Sequence, residues 1–183
     1  MTLKINRKLH LVIPVEQGDK TLYVHSTPVG TETFDMFYLP IAKTFSAIYT
    51  EGLGMVAGPR IAAKLLRTVS ESLNRWEEVQ KGLVAEINRL TNVFSPTDTG
   101  WKMIPLDDAI RTNVIDAEDA AEVENAIVFF TLVSLMHNKT ERESVIQGAA
   151  KLWGARAELL NCTAFRDSLP ILTNSGSIGL KVV

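Results

Sequence analysis

Histidine and cysteine carry the most versatile side-chain chemistry, and this sequence of 183 residues contains three histidines and one cysteine. The histidines are His10, His25 and His137, and none stands at a spacing typical of metal ligands. His10 and His25 fall in two strands that we predict to pair, and this pairing would set them opposite each other. That pair is the one candidate for a metal, and it lacks an obvious third ligand. Two half-exposed histidines on a strand face are the favoured interpretation.

The cysteine is Cys162, in the segment "LNCTAF". It could act as a nucleophile only if a histidine base lay beside it in space. A lone cysteine is more often a small buried hydrophobic residue, and a single cysteine excludes an intramolecular disulfide. We therefore expect Cys162 to be structural.

Two further patterns could indicate a site, and each has a simpler interpretation. The glycine-rich segment "GLGMVAG" (52–58) follows a helical pattern rather than a strand, and its glycine spacing is not that of a phosphate loop. Acidic residues crowd the segment 116–124, where they suit the positive end of a helix. The sequence thus predicts no enzyme, no metal and no cofactor.

Arg60, Lys64 and Arg67 recur at three- and four-residue steps and would share a helix face with Glu71. Such charge rows are mostly solvated surface, with one ion pair expected here. The alternative is a docking patch for an acidic partner.

The composition is that of an ordinary globular chain, with 46% hydrophobic and 22% charged residues. A formal charge of −2 gives no sign of a basic patch, so we expect no nucleic-acid partner. The most apolar run, residues 126–137, is shorter than the roughly 20 residues that a membrane span needs. The start of the chain alternates apolar and polar residues, which is typical of a strand rather than a signal peptide.

Strands are predicted over 8–15 and 20–27, with a turn at 16–19 between them. The predicted register pairs Ile13 with Leu22, Leu11 with Val24 and His10 with His25. Apolar residues at three- and four-residue steps then predict helices, over the segments 31–49, 59–73, 76–94, 105–113, 116–138 and 140–160. Pro40 should divide the first of these, and Pro59 should open the second.

These elements predict a mainly α fold, a compact helical bundle of about six helices with an N-terminal β-hairpin. In this prediction residues 1–30 form the hairpin, packed on a helical domain of residues 31–168. Residues 169–183 form a flexible C-terminal tail, because they are rich in glycine and serine.

The run "AIVFFTLVSLMH" (126–137) would be apolar around its whole circumference as a helix, and such helices are enclosed on every side. The favoured interpretation makes it the central helix of the core. The alternative is contact with another subunit or a partner, through Phe129, Leu132, Leu135 and Met136, because monomers avoid exposing such a patch.

Five phrases of the sequence resemble tail assembly chaperones of long-tailed (siphovirus-type) bacteriophages, in the same order along the chain. They are "HLVIPV", "VHSTPVGTETFDMFYLPIAKTFSAIYTEGLG", "AGPRIAAKLL", "EINRLTNV" and "KLWGA…LNCTAF". The resemblance covers about residues 8 to 168. It consists of extended phrases and contains no catalytic signature, so it assigns no active residues.

The resemblance implies a protein of the host bacterial cytoplasm that acts during assembly and is absent from the mature virion. Members of this family bind the tape measure protein and keep it competent until tail tube subunits polymerise around it. The expected partners are therefore the tape measure protein, the tail tube protein and further copies of the chain in a homo-oligomer. The aromatic stripe at 34–49 and the run at 126–136 are the candidate apolar surfaces.

Two other functions remain as alternatives. A structural tail-completion or connector protein of the virion would share the small helical build and the oligomerisation. An enzyme or ligand-binding domain would use a pocket between the hairpin and the helices, and would depend on His10, His25 and Cys162.

Overall fold

A five-stranded antiparallel sheet runs through the computed structural model, which describes residues 9–50, 52–137, 139–152 and 154–170. Most of the predicted tail at 169–183 lies outside these residues, as do residues 1–8 of the predicted hairpin region. The sheet order is β4-β3-β2-β1-β5. In chain order the strands are β1 (His10–Gln17), β2 (Lys20–Ser26), β3 (Thr91–Thr97), β4 (Gly100–Pro105) and β5 (Arg156–Glu158).

The β1–β2 hairpin confirms the two predicted strands, but the predicted register is wrong by two residues. Ile13 pairs with Val24, because the turn consists of Gly18 and Asp19 alone rather than four residues. Gly18 has a φ of 58°, a conformation that glycine adopts without steric cost. A shift of two residues leaves every side chain on its predicted face of the sheet.

Eight helices accompany the sheet within the described residues. They are α1 (Thr31–Met36), α2 (Tyr38–Thr50), α3 (Gly54–Ser72), α4 (Trp76–Val79, a π-helical Gln80–Val84, and Ala85–Arg89), α5 (Leu106–Arg111), α6 (Ala117–Met136), α7 (Lys139–Leu152) and α8 (Cys162–Ser168). The chain breaks between α1 and α2 at Phe37, which agrees with the expected effect of Pro40. The predicted helix start at Pro59 is wrong, because α3 begins at Gly54 and contains Pro59.

The prediction of a mainly α bundle of about six helices is wrong, since the fold is mixed α/β. The error begins at 76–94, which we predicted as one helix. Helix α4 ends at Arg89, and β3 follows from Thr91. Val93 and Phe94 are adjacent and both fully buried, in cores on opposite faces of the sheet. A strand covered on both faces loses the apolar–polar alternation that reveals strands in a sequence.

The two faces of the sheet are covered unequally. The large core lies on the face that carries Leu11, Val24 and Val93. Helix α6 contributes eight of its buried residues: Ala120, Val123, Ile127, Val128, Phe129, Phe130, Leu132 and Val133. The small core lies on the other face, where Phe165 of α8 packs with Val12 and Phe94. The short helix α8 therefore completes a layer that the sheet would otherwise expose.

Candidate functional site

The apolar run of α6 is buried within the chain's own core. Residues 127–133 are each at most 4% exposed, with Phe129 at 3% and Leu132 at 1%. Leu135 and Met136 are half-buried and pack against the same core. The core interpretation of this helix is confirmed. Phe129 and Leu132 have no appreciable surface to offer a partner in the folded chain.

Gly58 allows α2, α3 and α6 to approach one another closely. A Cβ atom at this position would lie 2.8 Å from Cγ2 of Ile48 and 2.9 Å from Cε2 of Phe129. Those distances are shorter than van der Waals contact, so only glycine fits without movement of its neighbours. Gly58 thus sets how closely α2, α3 and α6 pack near the N-terminal end of α3, next to the cleft described below.

Asn125 fastens α3 to α6 beside that cleft. Its Oδ1 accepts a hydrogen bond of 3.0 Å from the backbone N–H of Ala63, and its Nδ2 donates one of 2.7 Å to the carbonyl of Ala121. The side chain is 5% exposed, and both of its amide ends are satisfied as burial requires. Ala63 lies four residues after Pro59, so the bond forms one turn beyond the proline in α3.

The open cleft between α3 and α6 has a volume of about 730 Å³, and we refer to it as the α3–α6 cleft. It is lined by Val56, Ala57, Arg60 and Lys64 of α3 and by Glu118, Ala121, Glu122 and Asn125 of α6. Arg60 and Lys64 were predicted as partner-binding residues, and the structure brings them together here. Their neighbours Glu118 and Glu122 were assigned only to the helix start.

The acidic residues at the start of α6 behave as the sequence predicted. The carboxylate of Asp116 caps the helix by accepting hydrogen bonds from the backbone N–H groups of Glu118 and Asp119, at 3.0 and 2.9 Å. Glu118 and Glu122 lie in the first turns of the helix that Asp116 caps. They are four residues apart and line the cleft from the α6 side.

Arg67 does not line this cleft. Its guanidinium forms an exposed ion pair of 2.8 Å with Glu71 and lies over the ring of Trp76, 5.5 Å from the ring centre. The predicted ion pair of the basic row is therefore Arg67–Glu71. An exposed pair of this kind contributes little to stability. The predicted patch separates into Arg60 and Lys64 in the cleft and Arg67 outside it.

Helices α1 and α2 carry a concentration of exposed apolar side chains, here named the α1–α2 apolar surface. It comprises the exposed side chains of Met36, Tyr38, Leu39 and Tyr49, together with Phe34 and Phe45, which are partly buried against the large core. Met36 is 57% exposed, Tyr38 53% and Leu39 44%. The aromatic members contact one another in pairs. Phe34 and Tyr38 meet edge to face with ring centres 5.6 Å apart, and the tilted rings of Phe45 and Tyr49 have centres 4.7 Å apart. Part of the predicted stripe at 34–49 thus lies at the surface.

The two strand histidines lie side by side on the small-core face, with ring centres 4.9 Å apart. His25 is fully buried, and its Nε2 is 3.0 Å from the carbonyl oxygen of Leu160, so Nε2 carries the proton and donates it. Burial lowers the pKa of His25 below 6.5, more strongly than this hydrogen bond and Glu158 raise it. His25 is therefore a neutral core residue. The prediction of two half-exposed histidines is wrong, because His10 is 8% exposed and His25 is not exposed at all. Within the described residues no three potential ligands gather around a metal position.

Cys162 begins α8 on the same face. Its Sγ lies 3.5 Å from Sδ of Met103, and burial raises the pKa of the thiol above its ordinary value. A thiol with a raised pKa holds little of the thiolate that acts as a nucleophile at neutral pH. The structural interpretation of Cys162 agrees with this environment.

Comparison with protein-family models, with curated protein sequences and with solved structures finds no match to this chain. In the described parts of the chain, no helix combines the length and the apolar character that crossing a bilayer requires.

Sequence reasoning missed two kinds of site residue. Val56 was overlooked because the helix was expected to begin at Pro59, although Val56, Arg60 and Lys64 follow one another at four-residue steps. Met36 and Leu39 were overlooked because they lie beside the aromatic stripe rather than in it. A helical repeat extended to Gly54 would have revealed Val56; exposure of Met36 and Leu39 depends on which neighbours cover them.

Proposed function

We propose that this chain is an assembly chaperone of a long-tailed bacteriophage and that its client is the tape measure protein. The sequence phrases between residues 8 and 168 support the family. The α1–α2 apolar surface is the single structural observation that carries the proposal. Four of the nine exposed large hydrophobic residues in the described chain belong to it: Met36, Tyr38, Leu39 and Tyr49.

Scattered exposed apolar residues are normal on a monomer, but a concentration of them indicates a surface that another molecule covers. A chaperone of this kind shields apolar segments of a client by burying them against such a surface. Burial contributes about 25 cal/mol per Å², so one small surface binds weakly and releases readily. Several copies along one long client together bind more firmly, since linked contacts reinforce one another.

The proposal is tested by co-expressing this chain with the tape measure protein of the same genome. We expect the soluble yield of the tape measure protein to rise in the presence of the chain. An unchanged yield with both proteins well expressed would contradict the proposed function.

The contribution of the α1–α2 apolar surface is tested with the double variant Met36→Gln and Leu39→Gln. Both positions are exposed, so the variant should keep its melting temperature and lose most of the gain in client solubility. The matched control is Ile110→Gln with Leu159→Gln, which changes two apolar residues that are 40% and 51% exposed elsewhere on the chain. Equal loss in both variants would show that this surface has no special part in client binding.

A further inference from the structure

Helix α8 is held on the small-core face of the sheet at three points. Before the helix, Nε2 of His25 in β2 donates a hydrogen bond of 3.0 Å to the carbonyl of Leu160. In the middle of the helix, the side chain of Phe165 is fully buried. After the helix, Nε1 of Trp101 in β4 donates a bond of 2.8 Å to the carbonyl of Pro170. Of the two donors, only the imidazole of His25 changes its charge between about pH 5 and pH 8.

The ring of His25 lies in an apolar pocket. Its centre is 5.5 Å from the ring centre of Phe165 and 6.4 Å from that of Phe94, and the residue is not exposed to solvent. Its Nδ1 atom is buried and has no hydrogen-bond partner in the described parts of the chain. Protonation would place a positive charge and a second N–H in this pocket, and a buried N–H without an acceptor destabilises the fold. The pocket therefore suits the neutral ring and not the charged one.

Charged and titratable groups lie on four of the elements around His25. They are His10 on β1, Tyr23 on β2, Arg156 and Glu158 on β5, and Cys162 and Arg166 on α8. From β3, the fifth element, His25 meets the ring of Phe94 and has the neutral Asn92 as its cross-strand partner. Glu158 is thus the one described carboxylate that these elements direct to the pocket.

These neighbours do not compensate for burial. Glu158, the carbonyl of Leu160 and the backbone of His25 itself raise the pKa of His25, but burial lowers it by more, so the pKa lies below 6.5. The ring centre of His10 is 4.9 Å away, and a positive charge on His10 would oppose a second one on His25. The docked helix therefore requires a neutral His25.

The small core is separate from the large core, so α8 can leave the sheet without unfolding the rest of the chain. The buried members of the small core are Val12 and Phe94 on the sheet and Phe165 and Leu169 in and just after α8. The large core lies on the opposite face of the sheet, under α6. Departure of the seven residues of α8 would uncover one sheet face only.

We propose that His25 is an acid-sensitive latch for α8. The neutral ring holds the helix on the sheet, and protonation of the ring releases the helix while the large core stays closed. In the released form the ring reaches water and takes up its proton at its ordinary pKa of 6.5. The ratio of released to docked chains is therefore constant above that pH and rises by at most about tenfold for each pH unit below it. Release uncovers Val12 and Phe94, which creates a second apolar surface at acid pH.

The test measures amide hydrogen exchange of the full chain by NMR at about pH 7.5 and about pH 5.5, corrected for the intrinsic exchange rate. The reporters of α8 are the N–H groups of Phe165 and Leu169, which donate to the carbonyls of Asn161 and Arg166. We expect their protection to fall roughly five- to tenfold between the two pH values. The amides of α6 should remain much better protected at the lower pH, as release without unfolding requires.

Two histidine variants identify the titrating group. His25→Gln keeps an N–H that can donate to the carbonyl of Leu160 but carries no proton that titrates, so the protection of α8 should differ less than about twofold between the two pH values. The matched control His10→Gln removes the neighbouring ring and leaves the bond to Leu160 in place. Its α8 amides should keep the pH dependence of the wild type.

A second measurement needs no variant of His25. In NMR of the histidine side chains, His25 of the wild type should be protonated on Nε2 alone at neutral pH and should titrate below pH 6.5. Phe165→Ala removes the buried anchor of α8, so the helix should be released at neutral pH and His25 should titrate near its ordinary value.

Four results would overturn the latch. They are pH-independent protection of α8 in the wild type, an unchanged pH dependence in His25→Gln, loss of the pH dependence in His10→Gln, and equal protection of α6 and α8 at the lower pH. The last would mean that acid unfolds the whole chain. The latch involves none of the residues of the α1–α2 apolar surface, so these outcomes are independent of the test of client binding.

Discussion

At the residue scale, Asn125 is the buried polar side chain whose removal should lower the stability of the fold most directly. Replacing it with alanine removes the side-chain hydrogen bond that joins α6 to the backbone N–H of Ala63 in α3, in a region that water hardly reaches. A hydrogen bond of this kind contributes about 0.5–1.5 kcal/mol, so Asn125→Ala should lower the free energy of unfolding by that amount in urea titrations. The control Asn88→Ala removes an exposed hydrogen bond to Asp107 and should change stability by less than about 0.5 kcal/mol. Equal effects would refute the role given to Asn125.

His25 makes a second residue-scale prediction, on pH. Its folded-state pKa is lowered by burial, so as pH falls the unfolded chain takes up the proton first. The contribution of neutral His25 to stability is complete above its ordinary pKa of 6.5 and declines as pH falls below that value. The free energy of unfolding should therefore drop less between about pH 8 and about pH 5 in His25→Gln than in the wild type. Parallel curves for the two proteins would exclude His25 as the source.

At the element scale, the packing of α2, α3 and α6 depends on a missing side chain. Gly58→Ala adds a Cβ within 3 Å of both Ile48 and Phe129, so the three helices must separate slightly. Overpacking of this kind costs about 1–3 kcal/mol, which exceeds the gain of about 1 kcal/mol from replacing glycine by alanine in a helix. We expect a lower melting temperature for Gly58→Ala. At Gly30, the N-cap of α1, the added atom meets nothing within 4 Å, so Gly30→Ala loses only the N-cap preference for glycine and should lower the melting temperature less.

The helices and strands also differ in how well the sequence predicts them. Helix α6 was predicted within two residues, because Asp116 marks its start and its run of apolar residues contains no charged residue. Strand β3 was missed because Val93 and Phe94 face two different cores, a fact set by α8 nearly seventy residues later in the chain. Arg60 and Lys64 were recognised as a charged row, but the opposite wall of the cleft depends on how α6 crosses α3. Local pattern thus predicts elements, and contacts between distant elements decide the site.

At the scale of the whole molecule, the large core and the exposed surfaces divide the apolar residues between them. The run at 126–136 holds the fold together, whereas the α1–α2 apolar surface and the α3–α6 cleft lie open at the exterior. We expect Phe129→Asp, which places a carboxylate at a position 3% exposed, to unfold the chain, because an unpaired charge cannot stay in the core. Met136→Asp, at the half-buried end of the same helix, should remain folded by circular dichroism. A folded Phe129→Asp chain would mean that this helix is not the core.

The whole-molecule prediction for the proposed function concerns where the protein is found at the end of assembly. A surface of a few exposed side chains binds its client weakly enough to be displaced as tube subunits take its place. We therefore expect mass spectrometry to detect peptides of this chain in the lysate of infected cells and not in purified virions. A structural tail-completion or connector protein would instead be present in the virion in a fixed ratio to the tail tube protein. The major tube subunit is measured in both samples as a control for recovery. A constant ratio of this chain to that subunit would contradict the chaperone function and support the connector function.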